Sequence, residues 1–159
     1  MKKYLLLLIT ATVAACNSGT TTHVNPDSLS VNTDTGTMHI QVPNVQCFKS
    51  IKGSDTVYLK LEKFPNVVTG NLVYNFHEKD GNTGTIDGML KGDTLIADYT
   101  FMSEGQQSVR QVAFIINDSM ATEGYADVIE ENGKMIFKNT ATLNFSKGIQ
   151  LKSIPCPVE

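Results

Sequence analysis

Short segments rich in Gly, Asn and Asp interrupt this chain at close, even intervals, and that spacing restricts it to antiparallel β architectures. They are Lys-Asp-Gly-Asn-Thr-Gly at 79–84, Lys-Gly-Asp at 91–93, Glu-Gly-Gln at 104–106 and Glu-Asn-Gly-Lys at 131–134. Gly and Asn tolerate the positive φ that a tight hairpin demands. Between and before them, residues 56–62, 67–76, 85–90, 94–102, 108–117, 124–130 and 135–145 are rich in β-branched and aromatic residues, which predicts strands. In 67–76 the alternation is clear, with Val68, Leu72, Tyr74 and Phe76 on one face and Thr69, Asn71 and Asn75 on the other. No amphipathic helix of useful length is evident, although 138–143 suits either state. The pattern predicts an all-β fold, an antiparallel up-and-down meander of about eight strands closing into a small barrel, because closure removes exposed strand edges. A β-sandwich is the alternative.

The N-terminus carries a different signal. A basic start (Met1-Lys2-Lys3) leads into an apolar run through Ile9, and Val13-Ala14-Ala15-Cys16 matches a bacterial lipobox. The run is shorter than the ~20 residues a membrane helix needs, so 1–15 is expected to be a cleaved lipoprotein signal peptide and Cys16 the lipidated residue. Cleavage removes two lysines, leaving 11 basic residues against 16 acidic ones, a net charge of −5. That balance argues against nucleic acid and gives no polybasic patch for holding anionic lipid, so acyl chains on Cys16 are expected to hold the membrane. Asn17 follows Cys16, in place of the Asp that retains some lipoproteins at the inner membrane. The expected location is the cell envelope, at the outer membrane facing the periplasm. Residues 16–36 are small and polar and predict a flexible linker, leaving 37–159 as the β-barrel domain.

Export also bears on the two remaining cysteines. Cys47 and Cys156 form an even pair in an oxidising compartment, which predicts one disulfide bracketing nearly the whole domain.

Several segments resemble a family of small, largely uncharacterised bacterial lipoproteins with a lipocalin-like β-barrel. The likeness is carried by 68–74 (Val-Thr-Gly-Asn-Leu-Val-Tyr), 78–85 (Glu-Lys-Asp-Gly-Asn-Thr-Gly-Thr) and 92–101 (Gly-Asp-Thr-Leu-Ile-Ala-Asp-Tyr-Thr-Phe). Residues 103–105, 110–114 and 123–125 continue it, so that it covers roughly 56–138. It implies a barrel and no particular activity. The chain has no tryptophan, so the Gly-x-Trp of true lipocalins is missing and the likeness concerns shape.

The candidate site centres on Arg110. Along 108–116 it shares strand parity with Val112, Phe114 and Ile116, the expected inward face. An inward guanidinium needs a partner; Glu104 and Glu123 are the candidate carboxylates, and Tyr125, in phase with Glu123, adds a hydroxyl. These four residues are expected to form either a ligand site gripping a carboxylate or phosphate or an internal ion pair closing one barrel mouth. No metal-ligand spacing, Gly-x-Ser-x-Gly elbow or phosphate loop is present, so neither cofactor, metal nor catalysis is expected. The expected function is non-enzymatic binding of a small amphipathic ligand. The alternative is a structural or inhibitory envelope protein that meets a protein partner through loops such as 79–84 and 103–108.

Overall fold

The computed structural model describes residues 41–157. The segments expected as signal peptide (1–15), lipidated Cys16 and linker (16–36) lie outside the described residues. The chain forms strands β1 (Asn44–Lys52), β2 (Asp55–Lys63), β3 (Val68–Asn75), β4 (Asn82–Lys91), β5 (Thr94–Ser103), β6 (Gln106–Ile116), β7 (Met120–Gly124), β8 (Val128–Glu131), β9 (Lys134–Phe137) and β10 (Gln150–Ile154). Strands β1 to β7 pair antiparallel in sequence order, β5 also pairs with β6, and β10 lies between β7 and β1. The result is a closed eight-strand antiparallel barrel with two extra strands, not a sandwich.

The number of barrel strands agrees with the sequence pattern, but their identities differ. The segment expected as a strand at 124–130 breaks: β7 ends at Gly124, Tyr125 makes only an isolated bridge to Asn144, and β8 pairs with β9 instead. The segment 135–145 breaks too. Asn139 accepts a hydrogen bond from the Ala141 backbone N–H and caps a 3-10 turn at Thr140–Thr142, and Asn144 captures the Ser146 N–H and hydroxyl. Asn side chains that bond neighbouring backbone in this way compete with strand pairing. β8 and β9 therefore leave the barrel as a hairpin, and β1 and β10 take their places in the wall. β9 adds to β6 in parallel at Val109 and Arg110, the stretch that β7 leaves uncovered. Two outer-face neighbours fasten this hairpin: Asp98 pairs with Lys134 at 2.6 Å, and Gln111 accepts the Phe137 N–H at 3.0 Å.

Alternation along each strand points Phe48, Val57, Leu59, Leu61, Leu72, Ile86, Leu95, Val112, Phe114 and Leu151 into one buried cluster, so the body of the barrel is filled. Charged side chains such as Lys60, Glu62, Asp87 and Asp98 lie on the opposite parity, the reverse of a transmembrane barrel wall. Two inward positions on β4 must be glycine. A Cβ on Gly84 would collide with the Thr100 carbonyl, and one on Gly88 with the backbone of Ile96 and Ala97, so these sites let β4 and β5 approach closely as the wall curves.

Strand directions define two ends. Chain entry at Asn44, the β10 terminus and the Cys47–Cys156 disulfide (Cα–Cα 5.2 Å) lie at one end. The turns after β1, β3 and β5, together with the 125–149 excursion, form the other, here called the mouth. The disulfide ties β1 to the residues just beyond β10 across a sequence separation of 109. Loop-closure entropy at that length implies about 4–5 kcal/mol of stabilisation. Replacing both cysteines by serine is expected to lower the unfolding free energy by about that amount, seen as a fall in urea midpoint with an unchanged far-UV spectrum.

Candidate functional site

At the mouth the lumen changes from apolar to polar. Three of the four residues singled out in sequence meet there. Arg110 points inward from β6 and Glu123 from β7, and Tyr125 follows directly after β7. Glu104 does not join them: it occupies the β5–β6 turn at φ 50 and is exposed, since a two-residue hairpin turn projects its side chains away from the lumen.

Glu123 is the one buried charged residue among those described, at 4% exposure. Tyr74 donates its hydroxyl to one carboxylate oxygen at 2.6 Å, and Tyr125 donates to the other at 2.8 Å. Tyr74 sits on β3, half-way around the barrel from β7, so its bond to Glu123 crosses the lumen. Buried charge of this kind persists only where hydrogen bonds replace lost water.

Arg110 and Glu123 make no ion pair within 4.0 Å among the described residues. The guanidinium is held by rings instead. Its Cζ lies 5.1 Å from the Tyr74 centroid and 5.5 Å from those of Tyr99 and Phe101. Tyr99 and Phe101 stack at 4.8 Å, and Tyr74 meets Tyr99 edge-on. Each such cation–ring contact contributes about 0.5–2 kcal/mol, more where water is excluded. The internal ion pair expected from sequence is thus a pair of charges separated by tyrosines. Two polar atoms stay buried without partners beside these rings, Arg110 Nε and the Tyr99 hydroxyl.

These side chains border a cleft of about 440 Å³. Tyr74, Arg110, Glu123 and Tyr125 give it a polar end, and Phe76, Val112, Val128, Met135, Phe137 and Ile149 supply apolar walls. Its volume is within the range of small-molecule sites. The β8–β9 hairpin forms one side, where Val128 and Met135 remain 46% and 40% exposed. Among the described residues no group of three or more His, Cys, Asp or Glu side chains is placed to hold a metal ion. The chain matches no protein-family model, no curated protein and no solved structure.

The alternation puts Tyr74 on the apolar face of its strand without giving it a role, and no sequence signal singles out Tyr99 or Phe101. An inward tyrosine needs a hydroxyl partner, which was the available signal, but nothing local shows that Tyr74 faces Glu123 from the opposite wall.

Burial pushes the Glu123 carboxyl above its ordinary 4.5, opposed by the Tyr74 and Tyr125 hydrogen bonds and by the Arg110 charge. Burial, followed by the Glu123 charge, raises both Tyr74 and Tyr125, and burial lifts Tyr99 to about 12 against the pull of Arg110. All three hydroxyls therefore stay protonated near neutrality. Because the folded-state value of Glu123 is raised, its linked stability is fully present below pH 4.5 and is lost as pH rises through the folded value. Urea midpoints are expected to fall across that window, and Glu123→Gln to flatten this part of the slope. Tyr74→Phe is expected to cost about 1–3 kcal/mol by leaving one oxygen of a buried carboxylate unbonded.

Proposed function

We propose that this chain is a lipid-anchored protein of the bacterial cell envelope, held at the outer membrane on its periplasmic side, whose barrel mouth binds a small amphipathic ligand without transforming it. One observation carries the ligand reading: the apolar cleft ends on a guanidinium that rings hold in place and that, among the described residues, no carboxylate neutralises by contact. A guanidinium so placed suits a carboxylate, phosphate or carbonyl oxygen. The rest of such a ligand lies along Val112, Phe137 and Met135, with Val128 at the opening. The site is built before the ligand arrives, since the rings fix Arg110 and the tyrosines fix Glu123, and this reduces the ordering cost of binding. The anchor rests on the lipobox at Val13–Cys16, and the resemblance to lipoproteins with lipocalin-like barrels agrees with that half of the reading.

Action on a protein partner through loops has less to support it. Asn82–Gly84 belong to β4 and Gln106–Ser108 to β6, which leaves only short turns at 79–84 and 103–108.

Native mass spectrometry of the protein released from envelopes is expected to show a defined small-molecule adduct. Arg110→Ala is expected to weaken retention by roughly ten- to a hundredfold, the loss of a hydrogen bond to a charged group, with the melting temperature followed in parallel. Labelling with radioactive palmitate is expected to mark the wild type and not Cys16→Ala. A bare barrel in both proteins would overturn the ligand reading and turn attention to partner proteins.

A further inference from the structure

The tertiary fold assembles a basic surface that the sequence disperses. β1 and β10 pair antiparallel with Lys49 directly opposite Lys152. Leu151 and Phe48, their sequence neighbours, are fully buried, so alternation places both lysines on the outer wall. Like charges directly opposite destabilise a sheet, and nothing in the barrel offsets this pair. Lys147 lies just ahead of β10 toward the mouth, whereas Lys52, in phase with the buried Phe48, sits at the rim on the lumen side. Among the described residues none of the four lies within 4.0 Å of a carboxylate.

Two adjoining grooves link the four lysines. One, of about 480 Å³, is bordered by Lys49, Lys152, Met120 and Ile154; the other, of about 550 Å³, by Lys52, Lys147 and Phe76. Ser50, Ile51 and Gln150 border both. Ile51 stands 67% exposed between the lysine pairs. Asp55, the one carboxylate bordering these grooves, stands directly opposite Lys52 and accepts the His77 backbone N–H at 2.7 Å. On neighbouring β2, Glu62 pairs with Lys60 at 3.3 Å. The acidic excess lies elsewhere, with Asp87 on β4, Asp98 on β5, and Asp127, Glu130 and Glu131 at the β8–β9 hairpin. A chain of negative net charge thus presents one wall of positive charge.

From this arrangement we infer that the β1–β10 wall docks against an anionic lipid surface. The lysines do not converge on one point, as they would around a single small anion. They are spread along a strand pair on flexible stems, with a projecting isoleucine among them. A plane of phosphate headgroups satisfies the outward Lys49 and Lys152 ammoniums together and lets Ile51 enter the headgroup boundary, while the lysine stems lie along apolar lipid. The acidic hairpin then faces away from the bilayer. Phe76 and Ile149 border both the mouth-side groove and the internal cleft, so docking on this wall sets the cleft beside the membrane. The inference does not depend on ligand binding in the cleft or on acylation of Cys16.

The test uses the intact chain as isolated from envelopes, mixed with vesicles of phosphatidylcholine alone or of phosphatidylcholine with phosphatidylglycerol. Acetylation of each lysine is read by mass spectrometry. Lys49 and Lys152 are expected to react roughly fivefold or more slowly on phosphatidylglycerol vesicles, while Lys79 and Lys91 are unchanged. High salt is expected to abolish the difference by screening. The variant Lys49→Ala with Lys152→Ala, which relieves the like-charge pair and so keeps the fold, is expected to weaken binding to phosphatidylglycerol vesicles by roughly tenfold, read as lost protection of Lys147. Equal reactivity on both vesicle types would overturn the inference. So would protection confined to native envelopes and absent from pure lipid, which would assign the wall to a protein partner.

Discussion

The structure depends on β10 finding two partners at once. This five-residue strand pairs with β1 through Cys47–Lys49 and with β7 through Met120–Thr122. Without it, β1 and β7 would present unpaired edges and the lumen would open to water. Leu151, fully buried, secures the strand from inside, and the disulfide holds it from just beyond its end. Closure also brings β3 and β7 to opposite walls of one lumen, the geometry that lets Tyr74 reach Glu123.

That cross-lumen bond explains why the mouth is polar without collapsing. A carboxylate and a guanidinium within one lumen would ordinarily meet. Here the tyrosines take the carboxylate, and the rings of Tyr74, Tyr99 and Phe101 take the guanidinium. Tyr74 belongs to both sets, its hydroxyl bonding Glu123 while its ring faces Arg110. Among the described residues neither charge is neutralised by contact, and the cleft between the lumen and the β8–β9 hairpin keeps a polar end. The same separation leaves Arg110 Nε and the Tyr99 hydroxyl buried and unpaired, an energetic cost that a fold selected for stability alone would not need to carry.

Much of the wall was legible in sequence because hairpin chemistry is local. The turns at Gly92, at Glu104–Gly105 and at Asn132–Gly133 all use positive φ, as their residue types suggest. The alternation from Leu95 to Tyr99, and the inward parity of Arg110 with Val112 and Phe114, follow from a period of two. Illegible were β1, where adjacent Cys47 and Phe48 break the alternation, and β10, which is only five residues long and carries Lys152 on the outer parity. The segment 135–145 misled for another reason: its apolar residues alternate well enough for a strand, and only the Asn139 and Asn144 side chains divert the backbone. Glu104 lies just before the expected start of Arg110's strand and so is a natural candidate carboxylate, but it forms the apex of the β5–β6 turn and its side chain is exposed.

The sequence by itself determined the β class, the meander through the central strands, the inward face of β6 and the pairing of Cys47 with Cys156. Each of these rests on short-range spacing or on counting. Tertiary structure alone decided which strands close the barrel, that Tyr74 rather than Arg110 contacts Glu123, and that lysines about a hundred residues apart share one wall. These outcomes depend on closure, because bringing the two ends of the meander together sets which side chains face one another, and no local pattern encodes that meeting.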